Sequence, residues 1–404
     1  MTVSGTTRVT DASGWIGDPA TSLPWDGSDA LLVGRVWDPA AGGPSVVLVR
    51  DRLLVDITAI YPTVRDLCEE ADPARAARSA NGPAIGRWDE VIRNTARVER
   101  DASVPWMLAP VDLQALKAAG VTFAASMVER VIEERARGNH LEAARVRAEL
   151  FGEAEGVDLA HLIPGSPEAT RIKDSLMDRG LWSQYLEVGI GPDAEIFTKG
   201  QVLSAVGTAA PVGVLASSTW NNPEPEVALV IQSSGRTLGA TLANDVNLRD
   251  VEGRSALLLG RAKDNNASCA LGPFVRLFDE TFSMKDVRTM TIGLDIRGTD
   301  AFHLADASPM ELISRDPAAL VDQLMGRHHH YPDGAVLMLG TMFAPVADRS
   351  VAGEGFTHEL GDVVRISTPA LGTLVNVVDH SEECPPWDFG LRDLMTNLAR
   401  RGVL

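Results

Sequence analysis

Trp220 to Asp250 reads WNNPEPEVALVIQSSGRTLGATLANDVNLRD, and this stretch decides the fold. The apolar runs VALVIQ and TLGATLA flank Ser234-Gly235, which reads as a tight turn between two strands. With those two residues as the loop, Ser233 faces Arg236 and Glu224 faces Asp245. A register shift of two sets Glu226 opposite Asp245 instead, on the same face. Glu224 and Glu226 are two apart, so an extended chain turns both to one side. Cross-strand partners lie about 4.5–5.5 Å apart at Cβ, so either register brings three carboxylates together. Pro223 and Pro225 put this convergence at a strand end or sheet edge.

Three converging carboxylates repel one another unless positive charge lies between them. An all-oxygen set suits a hard divalent ion, Mg²⁺ first, then Mn²⁺ or Ca²⁺. Three protein oxygens leave positions open for a 2-oxo acid, whose ketone a metal polarises so that an enolate is stabilised. The alternative is a solvated acidic hairpin end, which suits E-x-E alone better. Two basic residues add weight. Arg249 follows Asp245 by four residues and has the fork that pairs with a carboxylate. Lys263, in GRAKDNNASCALGP, is a proton carrier if a nearby cation lowers its pKa. Ordinary ion pairing is the competing use of both.

Outward from this hairpin, the chain has 404 residues, enough for two domains. Residues 1–27 read as a loose lead-in and 28–107 as a small α+β unit whose strands LLVGRVWDP and SVVLVRDRLLVDI turn at Ala-Gly-Gly-Pro. Residues 108–404 form the larger domain. Helices are expected over AASMVERVIEERARG, from Asn139 through HLEAARVRAELFG, over PEATRIKDSLMDRGL, Asp250–Ala262 and Pro309–Met325. Strands are expected in LEVGIG, EIFTKG, VLMLGTMFAP, VVRIST and TLVNVV. Helices and strands are segregated, which predicts an α+β fold with a mostly antiparallel core.

Composition narrows the function classes. Lys plus Arg number 37 against 55 acids, a net charge of −18 that repels nucleic acid and anionic lipid. Three widely spaced cysteines and no CxxC exclude a disulfide framework or a zinc ribbon and fit a reducing cytoplasm. The first residues lack a secretory pattern, and no apolar run is long enough for a membrane helix, so a soluble protein is expected. No Walker or Rossmann glycine pattern is present. His328-His329-His330 precedes a Tyr-Pro-Asp-Gly turn and reads as a surface loop, and Cys269 as a buried structural thiol.

The motifs together resemble the fumarylacetoacetate hydrolase superfamily. They are Glu224-Pro225-Glu226, then Asn244-Asp245-Val246-Asn247-Leu248-Arg249, then Lys263 before Leu271-Gly272-Pro273, with Gly340-Thr341 and Gly361-Asp362-Val363-Val364 following. The resemblance covers roughly residues 108–404. It is strongest to bacterial 2-keto-3-deoxy-pentonate dehydratases of oxidative D-xylose and D-arabinose breakdown, through LAPVDLQALKAAGVTFAASMVERVIEERARG, LWSQYLEVGIGPDAEIFTKG and EGRSALLLGRAKDNNASCALGPF. It implies a mixed β-roll catalytic fold with flanking helices, Mg²⁺ on Glu224, Glu226 and Asp245, substrate contacts from Arg249 and Thr341, and a homodimer or homotetramer. Hydrolase members carry N-Y-x-x-H-A-x-E. Here the segment is Thr122–Glu129, with Ser126 in place of His and Glu129 kept. Ser cannot accept a proton near neutral pH as imidazole does. The expectation is therefore a Mg²⁺-dependent dehydratase giving 2,5-dioxopentanoate from a small 2-oxo sugar acid, with Glu129, Lys263 and Ser126 in catalysis. Hydrolysis of an acylpyruvate-type diketo acid is the runner-up. A non-catalytic metal or sugar-acid binder is the alternative of a different class.

Overall fold

A computed structural model describes residues 19–404 except 98, 144, 147–161, 179, 181, 344, 346, 350 and 352–354. Strands Pro225–Ile231 and Thr237–Asp245 form the expected hairpin, with Glu226 opposite Ala243 and Pro225 opposite Asn244. Beyond them Asp245 N donates to Glu224 O at 3.0 Å, so the first of the two registers holds. The turn differs from the sequence reading. Gln232, not Ser233, meets Arg236 (N to O, 2.9 Å), which makes Ser233–Gly235 a three-residue loop. Gly235 closes it at φ +89°, a conformation that costs glycine little. The extra residue is taken up by a bulge beside Ile231, which faces Thr237 while Val230 faces Gly239. Every residue of Pro225–Ile231 is buried, so this is an interior strand rather than a half-solvated one.

The hairpin sits inside an eleven-stranded sheet. Thr237–Asp245 also pairs with Cys269–Leu277, and Pro225–Ile231 with Ala335–Met338. The order then continues through Ala115–Gly120 to Glu195–Gly200. A second sheet of five strands runs His303–Pro309, Thr291–Arg297, Val363–Thr368, Gly372–His380 and Pro211–Val214. Pairings are antiparallel except Ala335–Met338 with Ala115–Gly120 and Gly372–His380 with Pro211–Val214. The largest apolar cluster joins the two sheets, with Leu229, Leu242, Leu294, Ile366 and Leu374 among its fully buried members. This is the α+β, mainly antiparallel fold expected.

Strands Leu32–Asp38, Gly43–Arg50, Leu53–Asp56 and Ala84–Arg87 extend the same large sheet, because Leu32 and Val33 face Arg276 and Val275. The division at residue 107 is therefore a proposal about how the chain is organised, and hydrogen bonds cross it. Of the lead-in, residues 1–18 lie outside the described residues; Pro19–Ser22 and Gly27–Asp29 form 3-10 turns.

The helix Ala124–Arg135 forms as its apolar spacing predicts, burying Met127, Val131 and Ile132. The helix expected from Asn139 lies partly outside the described residues. LEVGIG is a correction: Gln184–Ile190 is helical, with Ser183 Oγ accepting from Tyr185 N and Leu186 N. Its buried Tyr185, Leu186, Gly189 and Ile190 follow helical spacing. A Cβ on Gly189 would lie 2.5 Å from Met127 Sδ, so glycine lets this helix approach Ala124–Arg135 closely. Asp250–Ala262 is broken into Arg249–Glu252, Ala256–Leu258 and Leu259–Lys263, interrupted at Gly253 and capped anew by Ser255. Pro309–Met325 shortens to a 3-10 turn and Pro317–Leu324, which begins at the Asp316 cap with Pro317 in its first turn. Residues 328–330 are exposed in a turn. Among the described residues, no helix is long and apolar enough to cross a membrane.

Candidate active site

Glu224 and Glu226 leave the hairpin end on one side, and Asp245 joins them from the facing strand. Their nearest carboxylate oxygens all lie within 4.8 Å of one another. All three residues are no more than 2% exposed. The burial decides against the solvated hairpin end, because such a cluster needs compensating charge. The donors are all hard oxygens, so the residues fit Mg²⁺ or a similar divalent ion. Glu226 shows the strain most. Burial, then the charges of Asp245 and Glu224, push its carboxyl well above the usual range. Its Oε2 accepts from Gly340 N at 2.7 Å.

Basic side chains close around the other two acids. Lys263 Nζ donates to Glu224 Oε2 (2.5 Å) and Asp245 Oδ2 (3.1 Å). Lys199 Nζ lies 2.6 Å from Asp245 Oδ1 and donates to Lys263 O (2.6 Å) and Val246 O (3.0 Å). Burial alone would raise the Asp245 carboxyl; the two lysines outweigh it and hold it below its ordinary value. Burial alone would lower Lys263, but Asp245, Glu224 and Glu252 keep its ammonium above the ordinary lysine value. The lowered Lys263 pKa expected beside a cation is thus not what the protein's own charges produce.

Arg130, on the helix Ala124–Arg135, reaches the cluster from above. It contacts Glu224 Oε1, Glu133 Oε2 (2.7 Å) and Glu252 Oε2 (3.0 Å). Arg249 Nη2 pairs with Glu129 Oε2 (2.8 Å) and its Nε with Glu133 Oε1 (2.6 Å), while its guanidinium lies 4.4 Å from the Trp220 ring centroid. Residues from the helix, the strands and the Leu259–Lys263 turn enclose a small polar cavity. Glu195, Phe197, Ser126, Thr341 and Glu252 line it beside Lys263 and the three acids.

The sequence-predicted residues divide as follows. Glu224, Glu226, Asp245 and Lys263 come together; Ser126 and Thr341 line the same cavity. Ser126 Oγ donates to Phe123 O at 2.9 Å, and Thr341 Oγ1 to Phe343 O at 2.8 Å. Glu129, expected to share the cavity with Lys263, is not in its lining. Its carboxylate is engaged by Arg249, whose fork is in turn occupied by Glu129 and Glu133. Cys269, opposite Asp245, is buried, and burial pushes its thiol up to about 12, so it is no thiolate nucleophile.

Residues 188–379 match the family described as fumarylacetoacetate hydrolase, C-terminal. The matched stretch spans a little under half of the chain and contains Glu224, Glu226, Asp245 and Lys263. The chain is 31% identical to a 2-dehydro-3-deoxy-D-arabinonate dehydratase of Saccharolobus solfataricus over 46% of this chain and 58% of that protein. The match thus spans just over half the length of that relative. It is 26% identical to a probable 2-keto-3-deoxyxylonate dehydratase of Haloferax volcanii, over 81% of this chain and 93% of the relative. A solved 2-keto-3-deoxy-D-arabinonate dehydratase, complexed with magnesium and 2,5-dioxopentanoate, shares the fold. Its TM-score is 0.57 at 20% identity, covering 87% of this chain and 99% of that one.

Within this site, sequence reasoning missed Arg130, Glu195, Lys199 and Glu252. One signal was present for two of them. Glu195, Phe197 and Lys199 alternate in EIFTKG, so a strand turns all three to one face. Glu195 is the lining carboxyl with no hydrogen bond or ion pair among the described residues, and burial raises it above its usual value. Glu252, raised to about 7 chiefly by burial, touches Arg130.

Proposed function

We propose that this chain is a divalent-metal-dependent hydro-lyase that converts 2-keto-3-deoxy-D-pentonate to 2,5-dioxopentanoate. The observation that carries the proposal is the buried Glu224–Glu226–Asp245 cluster, set in a cavity whose lining holds a carboxyl, Glu195, and, among the described residues, no imidazole. The names of the two relatives support the substrate class, and the magnesium of the similar solved structure supports the metal. The proposal includes a cytoplasmic protein acting as a homo-oligomer without nucleic-acid or membrane partners, in keeping with the net charge of −18.

Glu224, Glu226 and Asp245 would hold Mg²⁺, which when bound would supply Lewis acidity that makes the C3 protons of a 2-oxo acid more acidic. The chain's own residues do the rest. Lys263 and Lys199 keep Asp245 ionised, and the Lys263 ammonium steadies negative charge that develops on the 2-oxygen. Glu195 has raised basicity and, among the described residues, no competing partner, which suits a group that takes a C3 proton and returns it to the departing C4 hydroxyl as water. Tautomerisation then moves the C5 and hydroxyl hydrogens onto C3 and C4, leaving an aldehyde at C5. Ser126 and Thr341 offer hydroxyls to the substrate. Glu129 and Arg249 take a positioning role, joining helix Ala124–Arg135 to Arg249–Glu252.

The test is a semialdehyde-coupled assay on D- and L-configured 2-keto-3-deoxy-pentonates, with and without EDTA. Turnover that EDTA abolishes and Mg²⁺ restores is expected, and Glu226→Gln should lose metal affinity and turnover together. Full activity of metal-free enzyme, or faster cleavage of an acylpyruvate than dehydration, overturns the reading.

A further inference from the structure

A second cavity shares no lining residue with the acidic one and has no part in the proposed reaction. Its volume is about 460 Å³, within the range of sites for drug-sized ligands. Its lining carries aromatic side chains and no acid of the Glu224, Glu226 and Asp245 cluster.

Three parts of the chain form its walls. Strand Leu32–Asp38 and the edge segment Trp106–Leu108 give Trp37 and Trp106, cross-strand partners whose rings stack at 5.7 Å and 13°. The C-terminal strap Pro385–Phe389 gives Phe389, edge-on to Trp37 at 5.2 Å, and Trp387. The floor is Leu203–Gly207 with Asn266 and Ala267. The strap is tied down: Asn266 Nδ2 donates to Ser381 O (3.0 Å) and Pro385 O (3.2 Å), and Trp387 Nε1 to Phe389 O (3.1 Å). Paired prolines and hydrogen-bonded rings make walls that are rigid before any ligand arrives. Such walls favour a flat, rigid ligand, because little ordering remains to be done on binding.

One cation faces this space without a carboxylate. Arg100 lines the cavity, 5.7 Å from the Trp106 ring centroid. Its Nε donates to Thr95 O at 3.2 Å, and neither Nη group has a partner among the described residues. Burial lowers its pKa, with no acid to offset it. Arg35, on the same wall, is instead satisfied by Val111 O (2.7 Å) and by Asp112 (3.6 Å). A guanidinium held by Nε, with both Nη groups open, presents the fork that matches a carboxylate or phosphate.

We infer that this cavity is a second binding site, for a flat aromatic ring bearing one anionic head, with the head on Arg100 and the ring against the tryptophan and phenylalanine walls. Carboxylate and phosphate heads share this chemistry, and the probes separate them.

The experiment is isothermal titration of the intact protein with indole-3-acetate and, separately, with AMP. Acetate, inorganic phosphate and indole serve as controls. At least one ring-bearing anion should bind saturably at about 1 mM or tighter. The ring-less anions and indole should bind about tenfold more weakly or not at all. Arg100→Gln and Trp387→Ala, both at partly exposed positions, should each weaken the tighter probe by about tenfold or more while circular dichroism stays unchanged. Binding by indole-3-acetate alone assigns a carboxylate head, and by AMP alone a phosphate. Absence of saturable binding by both probes overturns the inference. So does equal binding by the ring-less anions, or an Arg100→Gln protein that binds as the wild type does.

Discussion

Replacing Arg130 by Met tests how the charges around the site are balanced. One guanidinium serves three carboxylates, those of Glu224, Glu133 and Glu252. The acids' side chains are 1–4% exposed, so water does not take over when the cation is lost. Breaking a buried pair by removing one partner costs about 3–5 kcal/mol. With an unfolding entropy of about 2.1 cal/mol/K per residue, that cost lowers the melting temperature of a chain this long by roughly 4–6 °C. The pH dependence gives a second check. Burial alone would raise the Glu133 carboxyl, and Arg130, then Arg249, hold it below its ordinary value. Such a group stabilises the fold above its unfolded pKa and loses that contribution as pH falls through the lower folded one. Without Arg130 the contribution shrinks. The wild-type and Arg130→Met melting temperatures should therefore converge as pH drops below about 4.5. Scanning calorimetry from about pH 3 to 8 measures both effects. A shift under about 1 °C at pH 7, or a gap that does not depend on pH, would refute the reasoning.

Glu195→Gln should lower kcat by about 10²–10⁴-fold, the usual worth of a positioned acid or base, with Mg²⁺ affinity by calorimetry nearly unchanged. A normal rate would remove Glu195 from the proton chemistry. Gly340→Ala should destabilise the chain by about 1–3 kcal/mol and weaken metal binding. Gly340 sits at φ +92°, a Cβ there would meet Thr122 Oγ1 at 2.1 Å, and its N–H holds Glu226; denaturant titration and metal calorimetry read the two effects separately.

Much of the acidic centre was legible because it rests on local rules. Alternation set Glu224 and Glu226 on one face, and a turn between apolar runs brought Asp245 across to them. The error at the turn was one residue, and the bulge beside Ile231 absorbed it before it reached the acids. LEVGIG misled because a short apolar run has no clear period; the Ser183 cap and contacts with the preceding helix decide it. Arg130 lay in a run of charges, ERVIEERAR, that resembles a solvated helix face. Only tertiary packing of that helix against Arg249–Glu252 distinguishes Arg130, Glu133 and Glu129 from their neighbours. Glu195 and Lys199 shared a readable strand face, but nothing local tells which face meets the acids.

The sheet that runs across residue 107 bears on how this chain can vary. Cys269–Leu277 has Thr237–Asp245 on one side and, along part of its other side, the strand Leu32–Asp38. Strand edges left bare offer unpaired N–H and C=O groups to other chains. The first strands thus serve as the selvedge of the catalytic fabric. A rearrangement that exchanged the amino-terminal portion for another would have to supply a strand of compatible register, or the fold would acquire an adhesive border beside its active site. Inheritance of the two portions is in that sense linked by hydrogen bonds rather than by a tether.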